Sequence, residues 1–154
     1  MAKPSITWTI LTALATKLGE ITVANGYLTD AGQNVWTTDG QRPDDQALGL
    51  AIYSESIIGS VNERPGKPVR EFHLLVEFAI GTDLDNAQEL AHQVIEDIDV
   101  CVAKFARAVF GQPSFPGTPP RVADVAILDR PEGEPVIAGQ VRIVVGYARS
   151  DSAQ

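Results

Sequence analysis

Phe72, Leu74, Val76, Phe78 and Ile80 stand at every second position of the run Glu71–Ile80, and after it the apolar residues recur every three or four positions as far as Phe110. A period of two followed by a period of 3.6 means a strand that buries one face, then a helix that buries one stripe. The strand alternates these residues with Glu71, His73, Leu75, Glu77 and Ala79, so its second face is at least partly wet. The helix is expected to start near Asp83 or Asp85 and to end near Phe110, with Gly111 and Pro113 as its stop. Leu84, Ala87, Ala91, Val94, Ile98, Val102, Phe105 and Val109 form its inner stripe, and Asp85, Glu89, His92, Glu96 and Asp99 the opposite one. A helix with an acidic back lying on a sheet is the unit around which the rest must pack.

The flanking segments fit that unit. A first helix is expected from Ser5, an N-cap after Pro4, to Leu18, with Gly19 as its end; Ile6, Ile10, Leu14 and Leu18 share one side. Asn25-Gly26, Asp30-Ala31-Gly32 and Asp39-Gly40 are turn signals, leaving room for short strands at 21–23 and 34–37. Residues 47–55 read as a buried strand, and 56–68 as a long loop or hairpin tip. Four prolines and two glycines make 111–120 a stiff irregular connection. Two strands, near 122–128 and 136–147, close the chain around a turn at 129–133, ahead of a polar tail at 150–154. The expected fold is a single α+β domain over 1–154, a mixed or antiparallel sheet packed by two helices in the order α-β-β-β-α-β-β.

Composition narrows function by exclusion. Twelve Lys and Arg against twenty Asp and Glu give a net charge of -8, the wrong sign for a protein that works by neutralising phosphates. Lys3 and the run Ile6–Leu14 have the outline of a signal peptide, but Thr7, Thr9 and Thr12 interrupt it and an amphipathic helix fits better. With Cys101 alone, no disulfide within the chain is expected, and synthesis in the cytoplasm is the simplest reading.

Catalytic and metal motifs are not found. There is no glycine-rich phosphate loop, His73 and His92 lack metal-ligand spacing, and Asp83-Leu84-Asp85-Asn86 lacks the glycine of a calcium loop. Cys101 reads as a buried inert thiol, and Glu96, Asp97 and Asp99 as a solvated helix face. His73 with Glu71 and Glu77 is the one cluster of catalytic type, better read as a histidine among carboxylates on a wet sheet face. No catalytic, cofactor or metal residue is therefore expected. Docking surface is the alternative to chemistry. Candidate interface residues are Trp8, on the border of the first helix's stripe; Asn62, Glu63 and Arg64 in the long loop; Phe115 among prolines; and Asp85, Glu89 and Glu96 on the acidic back.

Residues 21–36, and within them Ala24-Asn25-Gly26-Tyr27 and Thr29-Asp30-Ala31-Gly32, resemble the early segment of tail terminator or tail completion proteins of long-tailed bacteriophages, the group of the phage lambda tail terminator. The strand 72–80 with its long helix resembles that family's central unit. Arg130-Pro131-Glu132-Gly133, leading to a strand ending Gly146-Tyr147-Ala148-Arg149, resembles its last hairpin. The proline content of 111–120 departs from the pattern. The resemblance implies a homo-hexameric ring in the neck of the virion tail. Such a ring caps the tail tube, stops its polymerisation and offers a surface to the head connector, and the resemblance implies a protein that is not an enzyme, with no cofactor and no membrane. DNA would cross its bore without specific binding, for which acidic walls are suited. Two other roles stay open: a head-to-tail joining or head-closure protein, and a small cytosolic enzyme or ligand-binding module using His73, Glu71 and Glu77.

Overall fold

The structure, a computed structural model, describes residues 5–37, 48–59, 69–81, 86–128 and 136–148. Helix α1 spans Ile6–Leu18, because Ser5 caps it by accepting a bond from the Trp8 amide at 3.2 Å and Ile10, Leu11, Leu14 and Leu18 bury one stripe. The outward hydroxyls of Thr9, Thr12 and Thr16 each donate to the carbonyl four residues back, so these residues sit in a helix without competing for its amides. Strands follow as β1 (Val35–Trp36), β2 (Leu50–Gly59) and β3 (Val69–Gly81), then helix α2 (Ala87–Val109), β4 (Arg121–Ile127) and β5 (Val136–Ala148).

The five strands form one mixed sheet in the order β1-β2-β3-β5-β4, in which only β1–β2 is parallel. The expected α+β domain is thus the observed one. The core lies between the helices and one sheet face, where Phe72, Leu74, Val76, Phe78 and Ile80 of β3 meet Val141, Ile143 and Val145 of β5. Burying each large side chain contributes about 1.5–3 kcal/mol, so the core alternation of β3 fixes the face on which both helices settle. Its intervening residues are half-buried along the whole strand.

Several expectations are corrected. No strand forms at 21–23; the segment makes one 3-10 turn at Val23–Asn25 and a second at Ala31–Gln33, since Thr22 caps the first and Gly26 ends it at φ 91°. The strand expected at 34–37 shrinks to Val35–Trp36. β2 begins at Leu50, and Ser56–Gly59, expected in a loop, continue it past a bulge between Ser54 and Ser56 because their partners in β3 extend down to Arg70. The connection 111–120 has no regular element, as expected, but Gly117 bridges Tyr147 and the Thr118 amide bonds Gly146 O at 2.7 Å. The turn signals at 39–40 and 129–133, Asp83 and Leu84, and the tail at 150–154 lie outside the described residues.

Candidate functional site

The segment that carries the family resemblance is also the one most deliberately fastened. Asp97 of α2 is 2% exposed, and its carboxylate accepts from the Leu28 amide at 3.0 Å, the Thr29 amide at 2.8 Å and the Thr29 hydroxyl at 2.7 Å. This corrects the reading of Asp97 as part of a solvated face. Three residues after Val94 and four before Cys101, it shares the row of two buried positions, so helix geometry was the signal that residue type concealed. A buried carboxylate is tolerated only with such donors, and here they come from a turn 68 and 69 residues away in sequence. Within the segment Asp30 accepts from the Val23 amide at 2.9 Å, and the Gly32 amide bonds Ile21 O at 2.8 Å. The two turns are thereby closed on each other before α2 holds them.

Beside the clasp, Cys101 is 1% exposed and its thiol donates to Lys17 O at 3.3 Å. Burial pushes its pKa up, although the Tyr27 hydroxyl pulls the other way, so the thiol is held protonated and inert as the sequence implied. Lys104 stands 4.8 Å from the Tyr27 ring centre. Burial, with the neighbouring Cys101, pushes the Tyr27 phenol from 10 up to about 12. A group whose proton is held more tightly in the folded state stabilises fully below its unfolded pKa, and that contribution fades as pH rises through the folded value. Stability is therefore expected to fall between pH 10 and about 12, and Tyr27→Phe is expected to flatten that limb in denaturant titrations. An alkaline limb of unchanged slope in the variant would refute the assignment.

The open face of the sheet holds two polar lattices. In one, Glu77 of β3 accepts from the Tyr53 hydroxyl of β2 and, at 2.7 Å, from the Gln140 amide of β5. In the other, Arg142 of β5 reaches Glu55 through two bonds of 2.8 and 2.9 Å and Asp124 of β4 at 2.9 Å, tying β2, β5 and β4 together. The paired guanidinium holds the Glu55 carboxyl below its usual range, and the carboxylate raises Arg142 in return. His73 meets Glu71 at 3.4 Å, while Glu77 is occupied elsewhere. The cluster of His73, Glu71 and Glu77 is thus not assembled, because four residues along a strand separate His73 from Glu77 by about 13 Å.

Trp8 is 51% exposed on α1, and Glu89 and Glu96 are exposed on α2. Phe115 is partly buried and packs edge-on to Phe105 with ring centres 5.4 Å apart, so it anchors the proline-rich connection to the core. Asn62, Glu63, Arg64 and Asp85 lie outside the described residues. Sequence reasoning missed the exposed apolar side chains on β2 and β4: Ile57, Ile58, Val125 and Ile127. Val125 and Ile127 alternate as strand residues do, whereas Ile57 and Ile58 are consecutive and face opposite sides of the sheet; only strand order shows that β2 and β4 are outer strands.

No described helix is long and apolar enough to cross a membrane. The chain matches no family model and no curated protein.

Proposed function

We propose that this chain is a structural subunit of a bacteriophage tail, a terminator that assembles as a hexameric ring on the finished tube, halts its growth and presents a surface for head attachment. The observation that carries the reading is the segment 21–36. It resembles the early segment of the tail terminator family. In this fold it is a pair of closed turns, bonded by three contacts to Asp97, that links α1 to the sheet. A segment so fastened serves as a fixed shape, which is what a repeated contact in a ring requires. The succession of helix, strands, helix and strands is in keeping with that family's order. Tube protein and head connector are the partners on this reading, DNA passes through without specific binding, and the protein resides in the neck of the virion. No catalytic residue, cofactor or metal has a part in it.

Electron microscopy of particles assembled without this protein tests the proposal. Overlong tails without heads are expected. Tails of normal length detached from heads would instead mark a joining protein, and intact infectious particles would overturn both roles.

A further inference from the structure

Both outer strands carry one extra residue, and one side chain reaches both irregularities. β4 is the last described strand of the sheet, and β2 beyond Ala51 is the outermost described strand at the other end, because β1 pairs only with Leu50 and Ala51. The β2–β3 pairing skips Glu55, since Ser54 faces Leu74 and Ser56 faces His73; the β4–β5 pairing skips Ala123, since Val122 faces Ile143 and Asp124 faces Arg142. An extra residue exchanges the faces of every side chain that follows it. Without the bulges Ile57 would stand opposite Glu71 and Val125 opposite Gln140, on the open face, whereas they stand opposite Phe72 and Val141. Apolar burial rewards that choice only in part, because Ile57 stays 53% exposed and Val125 42%. The registers of the outer strands therefore depend on polar contacts as well.

We propose that Arg142 couples the two outer strands: one guanidinium holds a carboxylate at each bulge, so β2 and β4 tighten and loosen together. Nε and Nη2 of Arg142 donate to Glu55 at 2.8 and 2.9 Å, and Nη1 donates to Asp124 at 2.9 Å. A guanidinium is planar and rigid, so once Glu55 has taken two donors the direction of the third is fixed, and it meets Asp124. The bulges supply the geometry. The rung of Arg142 runs through Leu75 of β3 to Tyr53 of β2, so its bonds to Glu55 pass over β3. Two inter-strand steps of about 4.8 Å lie between, a gap that arginine and glutamate span together. The second bulge brings Asp124, in place of Ala123, level with the guanidinium. Of the neighbouring carboxylates, Glu77 is taken by Tyr53 and Gln140, and Glu71 meets His73. Each partner of Arg142 thus orients it for the other, and a coupling of that kind is reciprocal.

Amide hydrogen exchange of the full chain tests it, with the Val76 amide in the middle of β3 as the reference for global opening. Glu55→Ala is expected to lower protection across β4, at the far side of the sheet, about threefold relative to Val76, the scale of a partly exposed ion pair. By reciprocity Asp124→Ala is expected to lower protection at 56–59 of β2 by a similar factor. Its side chain is largely exposed, so it serves if the first variant does not fold. Arg142→Lys keeps the charge and loses the fork. In that background Glu55→Ala is expected to leave β4 unchanged, and Asp124→Ala to leave 56–59 unchanged. Losses confined to the substituted strand would overturn the coupling. So would an equal loss in the opposite strand with the arginine already replaced, because the effect would then travel by another route.

Discussion

Asp97→Ala is expected to cost about 3–5 kcal/mol of folding stability, since it orphans two backbone amides and a hydroxyl in a site where water is scarce. For a chain of this size that lowers the melting temperature by roughly 10 °C. Thr29 is 4% exposed, so its amide and hydroxyl have little solvent to turn to once the carboxylate is gone. Asp97→Asn keeps one acceptor oxygen but turns an amide toward the donors, and its loss should fall between wild type and alanine. Thr29→Val removes only the hydroxyl bond and is expected to cost about 1 kcal/mol. Chemical denaturation at fixed protein concentration reads all three, with concentration held because assembly would add to apparent stability. A loss below about 1 kcal/mol for Asp97→Ala would mean that the turns hold themselves and the clasp is incidental.

Gly32→Ala is expected to be as severe for a different reason. A Cβ there would lie 2.3 Å from Leu18 O and 2.7 Å from Ile21 N, both backbone atoms that cannot swing aside. Either the bond from the Gly32 amide to Ile21 O breaks or the end of α1 shifts, and about 3 kcal/mol is the expected cost. Gly26→Ala makes the control. Gly26 sits at φ 91° with nothing within 4 Å of an added Cβ, so only the left-handed backbone penalty of about 1–2 kcal/mol applies. If Gly26→Ala proves the more damaging, backbone conformation rather than close approach governs this segment.

Both predictions fall on residues whose importance the sequence only half disclosed. Gly32 was legible as a turn glycine, yet its closeness to Leu18 O follows from how the two turns fold back onto α1. Asp97 was hidden because a carboxylate among Glu96 and Asp99 reads as solvated unless its place between Val94 and Cys101 is given more weight than its charge. β3 and α2 were legible because each has a period long enough to exclude the alternative. β1 was overestimated and the strand at 21–23 does not exist, since short apolar runs near turns adopt whatever the neighbouring backbone leaves unpaired.

By itself the sequence determined which faces are buried, and therefore two helices on one side of a sheet, because side-chain period is a property of the local chain. It also placed Cys101 at the edge of the buried stripe of α2, where the thiol is 1% exposed. Only the tertiary structure decided strand order, and with it that no described strand covers β4 or most of β2. It alone gave Glu77 to Tyr53 and Gln140, and it alone brought Asp97 to Thr29. Each of these depends on which distant segments become neighbours. Pairing across strands and burial of a charge are settled by the summed energy of the whole packed domain, which no local period encodes.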